Sequence, residues 1–253
     1  MTRAEIDLVR SLGDKRARTE TGLFVAEGEK LVRELLASSL RVQKIYFTEG
    51  EFSEAERVSP KEMERLSHLK TATSCLAVVE IPKYNFDAQA LKGRLTIALD
   101  EVQNPGNVGT IIRLADWFGV GEILCSESSA DCFNPKVVQA TMGAITRVRV
   151  HYGDLPAMLS EVAEEGIPVF GTFLEGENIY AATLPPEGVI VLGNEGKGIS
   201  GEVSGLVSHR LFIPPYPADY AFAGDRSGRC GSESLNVAIA AAVTIAEFRR
   251  RQL

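Results

Sequence analysis

The chain has 253 residues, 45% of them hydrophobic and 24% charged, a composition typical of a folded globular protein rather than a disordered one. No apolar run approaches the roughly 20 residues that a membrane-spanning helix needs, and the amino terminus does not resemble a signal peptide. We therefore expect a cytoplasmic protein with no membrane partner. The four cysteines form no CxxC pair and no histidine cluster accompanies them, so we predict free thiols and no metal site.

The net charge of −7 argues mildly against a nucleic-acid-binding protein, but the charge is unevenly distributed. Residues 1–94 contain 16 Lys and Arg against 15 Asp and Glu, a net charge of +1, whereas the remainder contains 11 against 19, a net charge of −8. In the first part, four basic residues lie close together in sequence: Arg10, Lys15, Arg16 and Arg18. They are a candidate phosphate contact, although by themselves they are more typical of a solvated surface cluster.

The first ninety residues predict a small α/β unit. Apolar residues with helical spacing predict helices over 29–38 and 61–69, and apolar runs predict strands over 42–48 and 75–81. A polar segment introduced by Pro82 is a candidate linker. We therefore expect one domain over 1–82, a linker over 83–94 and a second domain over 95–253.

From residue 95 onward, short apolar runs alternate with amphipathic helical stretches. Strands are predicted over 95–99, 122–125, 147–150, 169–173, 189–192 and 211–213. Helices are predicted over 108–118, 135–141, 155–165 and 232–250. This alternation predicts an α/β fold with a mostly parallel sheet and helices on both faces. In such sheets ligands bind at the carboxyl ends of the strands, so the polar loops after these strands are candidate sites.

The first candidate segment runs from Asn104 to Arg113 and follows the strand over 95–99. Asn107 is predicted to be the N-cap of the next helix, and Arg113 follows six residues later, about one and two-thirds turns into that helix. An isolated arginine on an apolar helix more commonly pairs with a nearby carboxylate. The polar loop before it favours a binding role instead.

The second candidate segment is a fully apolar strand followed by Gly193, Gly196 and Gly198. Glycines supply positive φ angles and let a ligand approach the backbone. Their spacing matches neither the dinucleotide-binding fingerprint nor the phosphate-binding P-loop, so a nucleotide hydrolase and a nucleotide-dependent oxidoreductase are poor hypotheses. The alternative interpretation is a tight turn that binds no ligand, and the glycine content alone does not exclude it.

The third candidate segment begins at Ile213-Pro214 and ends at Ser234-Leu235-Asn236-Val237. Ser232 is predicted to be the N-cap of the last helix, with only half of a capping box present. Packing does not explain Asn236 near the start of that alanine-rich helix. A buried asparagine needs partners, so it is a candidate to hydrogen-bond a ligand or another loop.

Together these segments resemble the SpoU branch of the SPOUT methyltransferases, also called the TrmH family of RNA 2′-O-ribose methyltransferases. The matches to its three ordered motifs are Asn107, Gly109 and Arg113, then Gly193, Glu195 and Gly198, then Ile213-Pro214 with Ser234-Leu235-Asn236-Val237. Residues 24–28 also look like part of the small substrate-binding domain that many members carry. The resemblance therefore covers nearly the whole chain.

The resemblance implies a fold, a cofactor and partners. The expected fold is a mostly parallel α/β domain with a C-terminal trefoil knot, one of the rare exceptions to the rule against knots, preceded by a small α/β domain. The expected assembly is a homodimer joined through the knotted region. The implied cofactor is S-adenosylmethionine and the implied substrate is RNA, with ribosomal RNA favoured over transfer RNA because of the N-terminal domain.

The resemblance also implies roles for single residues. Arg113 would assist deprotonation of a ribose 2′-hydroxyl electrostatically, or as a base only through an adjacent phosphate, because a free arginine stays protonated. Other residues expected to shape the catalytic pocket are Asn107, Glu195, Ser234 and Asn236. Cofactor contacts are expected from Thr172, Gly193, Ile213 and Leu235.

One stretch departs from the family pattern. The family usually has a much shorter spacer between Ile-Pro and Ser-Leu-Asn, whereas residues 216–233 intervene here, which makes Ile213 less certain than Gly193 or Leu235. This segment is either a lid or an RNA contact through Arg226 and Arg229, or a neutral insertion, since long loops cost little. The main alternative function is a non-catalytic RNA-binding factor that retains the same fold.

Overall fold

The computed structural model describes residues 1–52, 54–216 and 234–252. The chain forms two compact units, and each is assembled from segments that are not consecutive in sequence. The first unit comprises residues 1–84, 104–116 and 130–149, and the second comprises residues 85–103, 117–129 and 150–253. The predicted domains at 1–82 and 95–253 are continuous in sequence, whereas each compact unit combines several segments. The units therefore do not test the predicted domain boundaries, which stay a prediction.

The first unit contains a four-stranded sheet and six helices among its described residues. The strands are β1 (Leu23–Glu27), β2 (Val42–Phe47), β3 (Glu56–Arg57) and β4 (Cys75–Glu80). The helices are α1 (Arg3–Ser11), α2 (Lys15–Thr21), α3 (Glu29–Leu36), α4 (Pro60–Leu66), α5 (Pro105–Trp117, all but its last residue) and α6 (Pro135–Thr141). The strand order is β1-β4-β2-β3, with β4 antiparallel to both of its neighbours.

Two helices and one strand at the amino terminus were not predicted from the sequence. Helix α1 begins at a capping box in which Thr2 and Glu5 satisfy each other's backbone amides. Helix α2 ends at Gly22, which has a φ of 68° and turns the chain into β1. All five residues of β1 are buried. A short apolar run of this kind has no alternating pattern, which is why periodicity did not reveal it.

Arg18 does not belong to a surface patch, and its assignment to the predicted phosphate contact is wrong. The side chain is only 2% exposed, and its Nε and Nη2 donate to Asp131 Oδ2 at 2.9 and 2.6 Å. Its Nη1 donates to the Leu12 carbonyl oxygen at 2.8 Å. A buried charge is tolerated only when it is paired in this way. Arg10, Lys15 and Arg16 are exposed, as predicted.

The second unit contains a seven-stranded sheet. Its strands are β5 (Leu95–Leu99), β6 (Glu122–Ser126), β7 (Arg149–Gly153, all but its first residue), β8 (Val169–Phe173), β9 (Glu177–Asn178), β10 (Gly188–Leu192) and β11 (His209–Phe212). Its helices are α7 (Leu155–Glu164), α8 (Gly201–Ser204) and α9 (Val237–Arg250). The strand order is β7-β6-β5-β10-β8-β11-β9. The five strand pairs from β6 to β9 are parallel, so the predicted α/β fold with a mostly parallel sheet is confirmed.

The positions of several predicted boundaries were wrong. Strand β7 begins at residue 149 rather than 147, because a short 3-10 turn over Ala144–Thr146 precedes it. Helix α9 begins at Val237 rather than 232, and its N-cap is Asn236, not Ser232, which lies outside the described residues. Helix termini depend on which side chain caps them, so a sequence with several candidate caps leaves the boundary open.

The described part of the chain contains no helix long and apolar enough to cross a membrane. Within the same residues, no group of three or more His, Cys, Asp or Glu side chains is arranged to hold a metal ion. Cys75, Cys125 and Cys132 are buried and form no disulfide among the described residues, and Cys230 lies outside them. Burial raises the pKa of the Cys75 thiol to about 12, so this thiol stays protonated at neutral pH.

Candidate active site

Helix α5 carries the first candidate segment, and it begins earlier than predicted. Its first residue is Pro105, and Asn104 Oδ1 accepts hydrogen bonds from the backbone amides of Gly106 and Asn107 at 2.8 and 3.2 Å. Asn104 is therefore the capping residue, and the prediction that Asn107 caps this helix is wrong. Proline directly after the cap favours this start, because it lacks the amide that would be left unpaired there. Asn107 lies in the first turn and is half-buried.

Gly109 permits close packing between α5 and α6. A Cβ atom at this position would lie 2.5 Å from Ala140 Cβ and 2.9 Å from the Val137 carbonyl oxygen. Only glycine fits such an approach, so the glycine between Asn107 and Arg113 has a structural function. It fixes the helix on which Arg113 is placed.

Arg113 lies on the exposed side of α5. Its guanidinium forms no hydrogen bond or ion pair with any residue that the structure describes, unlike Arg18 and Arg147 in the same unit. The ion pair that is common for an isolated arginine on an apolar helix is therefore absent among these residues. An unpaired guanidinium presents five donors to a carboxylate or phosphate.

The glycine loop after β10, residues 193–199, is a closed turn. Asn194 and Gly198 exchange backbone hydrogen bonds at 3.0 and 2.9 Å, and Asn194 Oδ1 accepts from the backbone amides of Gly196 and Lys197. A Cβ atom on Gly193 would lie 2.3 Å from the backbone of Gly198 and Ile199. The glycines therefore form a tight turn, and this turn leaves Glu195 exposed.

Two residues that follow β5 hold this loop, and neither belongs to a motif that the sequence predicts. Asp100 is 3% exposed, and its Oδ2 accepts from the backbone amide of Ser200 at 2.7 Å. The Glu101 carbonyl oxygen accepts from Asn194 Nδ2 at 2.8 Å. Glu101 has a φ of 55°, a backbone conformation that is uncommon outside glycine and asparagine. The available signal was an aspartate directly after a buried strand.

Replacing Asp100 by alanine should loosen the loop that it holds. The Ser200 amide would lose its acceptor, at a cost of about 1–3 kcal/mol, and we expect binding of the cofactor that the family resemblance implies, S-adenosylmethionine, to weaken roughly tenfold. Thermal unfolding and calorimetry measure the two effects. Asp154→Ala is the matched control, because it removes an N-cap in the same unit at a cost of about 1 kcal/mol. Equal affinity for S-adenosylmethionine in both variants would show that Asp100 does not organise the site.

Three of the predicted cofactor residues lie at the carboxyl ends of the adjacent strands β10, β8 and β11. Gly193 follows β10, Thr172 is the penultimate residue of β8 and Ile213 follows β11. All three are half-buried, and Thr172 Oγ1 donates to the Val191 carbonyl oxygen at 3.2 Å. The order of the strands, which the sequence did not reveal, brings these segments to one edge of the sheet.

Ser234, Leu235 and Asn236 directly precede α9, and all three are exposed. Asn236 Oδ1 accepts from the backbone amides of Ala238 and Ile239 at 3.0 and 3.4 Å. The expectation of a buried Asn236 is therefore wrong, and helix capping accounts for its position. Residues 217–233, with Arg226 and Arg229, lie outside the described residues, whereas Tyr216 is described and 97% exposed.

The predicted catalytic residues are divided between the units. Asn107 and Arg113 belong to the first unit, whereas Glu195, Ser234 and Asn236 belong to the second.

Comparison with known proteins identifies the family. The model of the SpoU rRNA methylase family matches residues 94–221, and the model of the MRM3-like substrate-binding domain matches residues 4–82. The chain belongs to the SpoU rRNA methylase family. The predicted RNA methyltransferase with S-adenosylmethionine as cofactor is thereby confirmed.

Several members of the family are similar to this chain over nearly their whole length. The 23S rRNA (guanosine(2553)-2′-O)-methyltransferase RlmP of Bacillus subtilis is 28% identical, over 95% of this chain and 94% of its own. A structure assigned to the TrmH family of RNA methyltransferases, from Porphyromonas gingivalis, is 38% identical, with a TM-score of 0.85 and 99% of each chain covered. The rRNA methyltransferase of Sinorhizobium meliloti, solved with S-adenosylmethionine bound, is 25% identical, with a TM-score of 0.83 and coverage of 100% and 97%.

Proposed function

We propose that this chain methylates a ribose 2′-hydroxyl of ribosomal RNA, and that Arg113 is its central catalytic residue. The observation that carries the proposal is the exposed guanidinium of Arg113, unpaired among the described residues, at the position of the family's first motif. Relatives along nearly the whole chain are named as methyltransferases of 23S rRNA, which favours ribosomal over transfer RNA.

The strand ends of the second unit fit S-adenosylmethionine. Ile213 and Leu235 form no backbone hydrogen bond with a described residue, so their amide and carbonyl groups are available to an adenine ring. Their side chains supply apolar surface, and Leu235 is 50% exposed. Gly193 and Thr172 would complete the site along β10 and β8. When bound, S-adenosylmethionine supplies an electrophilic methyl group on sulfur.

Arg113 would act on the nucleophile. A ribose hydroxyl is a weak nucleophile, and its oxygen gains negative charge as its proton leaves. A guanidinium beside the neighbouring phosphate stabilises that charge and orients the phosphate to accept the proton. Asn107, Glu195, Ser234 and Asn236 would shape the pocket around the ribose.

The assembly and the topology are part of the same proposal. We propose a homodimer joined through a knotted C-terminal region, in the cytoplasm. Leu235 and Ile239, at the start of α9, are about half exposed, at 50% and 53%. They support an apolar surface that the second subunit of the dimer would cover. Neighbouring exposed apolar side chains often mark an interface.

Mass spectrometry of ribosomal RNA from a strain that lacks this chain is the decisive experiment. We expect one 2′-O-methyl group to be missing and to return when the purified chain and S-adenosylmethionine are added. Unchanged ribosomal RNA together with one altered transfer RNA would overturn the substrate assignment. Calorimetry tests the alternative of an RNA-binding factor without catalysis, which would bind RNA but not S-adenosylmethionine.

A further inference from the structure

Asp116, near the end of α5, is held by Arg147. Arg147 Nε and Nη2 donate to Asp116 Oδ1 and Oδ2, each at 2.9 Å, and Nη1 donates to Glu34 Oε2 at 2.9 Å. Both oxygens of Asp116 are therefore engaged in a two-point ion pair, the geometry in which arginine binds carboxylates best. The two carboxylates hold the pKa of Arg147 above its ordinary value.

The same carboxylate lies within helical reach of Arg113. Residues three positions apart on a helix are neighbours on its surface, with Cβ atoms about 5–6 Å apart. Asp116 is the only acidic residue of α5. An unengaged Asp116 would therefore be the natural partner of the Arg113 guanidinium.

We propose that Arg147 is a positioning residue that withholds Asp116 from Arg113. The inference rests on the proposed function, in which Arg113 must meet an RNA phosphate. An Arg113 paired with Asp116 would have its charge neutralised and its donors occupied, and the phosphate would have to displace the carboxylate. Arg147 removes this competition by binding the carboxylate itself.

Arg147 also joins α3 to α5 through Glu34 and Asp116, so a purely structural role has to be distinguished. Arg147→Ala and Asp116→Ala break the same bridge between Arg147 and Asp116. Only Arg147→Ala leaves a free carboxylate beside Arg113. Arg147→Ala also releases Glu34, which Asp116→Ala does not. The matched control is therefore the double variant, which has every structural defect of Arg147→Ala but lacks the Asp116 carboxylate.

Steady-state methyl transfer tests the proposal, with ribosomal RNA from a strain lacking this chain as the acceptor. We expect Arg147→Ala to lower kcat roughly two- to fivefold, the scale of one exposed ion pair on a helix, with the Kd for S-adenosylmethionine unchanged. Asp116→Ala should keep the wild-type kcat, and the double variant should recover it. Thermal unfolding of the three variants separates these effects from stability. If Arg147→Ala does not fold, Arg147→Lys should lower kcat partially, because a lysine binds one carboxylate oxygen as a point charge.

Two outcomes overturn the proposal. One is an Arg147 variant with the kcat of the wild type. The other is an equal loss of kcat in Arg147→Ala and the double variant, whatever the kcat of Asp116→Ala, which indicates a structural role alone. An inactive wild-type chain contradicts the proposed function as well. An active wild type with either outcome contradicts only the role of Arg147.

Discussion

Arg113→Ala is expected to abolish methyl transfer while leaving the fold and the binding of S-adenosylmethionine intact. The side chain is exposed and bonds to no described residue, so its removal costs little stability. The loss falls on the transition state, where removing one charge-stabilising donor typically lowers the rate about 10²–10³-fold. Single-turnover methylation of ribosomal RNA measures the rate, and calorimetry measures the affinity for S-adenosylmethionine.

Arg113→Lys is the matched variant for this prediction. Lysine keeps the positive charge but lacks the planar fork that meets a phosphate with two hydrogen bonds. We expect an activity between those of the wild type and Arg113→Ala. A variant without any cation that methylated RNA at a near-normal rate would remove Arg113 from the catalytic site.

Among the glycine-to-alanine substitutions in the glycine loop, Gly193→Ala is expected to distort the cofactor site most. The new Cβ atom would lie 2.3 Å from the carbonyl carbon of Gly198 and from the backbone nitrogen of Ile199. These are backbone atoms of a closed turn, so they cannot rotate away. Overpacking of this kind costs about 1–3 kcal/mol, and the turn must open to accept it.

Calorimetry should show that Gly193→Ala binds S-adenosylmethionine at least tenfold more weakly than the wild type does. A tenfold change corresponds to the loss of one backbone contact worth about 1.4 kcal/mol. Gly201→Ala is the control, because a Cβ atom there meets nothing within 4 Å. It adds the same methyl group in the same unit, and its unfolding temperature and affinity should match the wild type. Identical affinities of the two variants would place the cofactor away from β10.

The family could be predicted from the sequence because its evidence is local. Asn107, Gly109 and Arg113 lie within two turns of one helix, and Gly193 and Gly198 lie within one turn of chain. Fixed spacings of this kind are readable without any knowledge of distant contacts. Six of the seven strands of the second unit were predictable for a related reason, since buried parallel strands are short apolar runs between polar loops. The seventh, β9, has two exposed polar residues and was not predicted.

The contacts of single side chains in the first unit could not be predicted in the same way. Arg18 was assigned to a surface because its sequence neighbours are polar, yet Asp131, 113 positions away, makes it a buried ion pair. Asn107 and Asn104 are equally good caps by composition, and the fold selects Asn104. In both cases the deciding contact depends on three-dimensional position rather than on residue type.

By itself, the amino-acid sequence determined the fold class, the family and the identity of the unusual arginine, because these follow from periodicity and local spacing. Only the tertiary structure decided that Arg113 is unpaired among the described residues while Arg18 and Arg147 are paired. It also decided that Asp100 and Glu101 hold the glycine loop. The reason is that the availability of a charged group depends on which carboxylates the folded chain brings near it, and those carboxylates are distant in sequence.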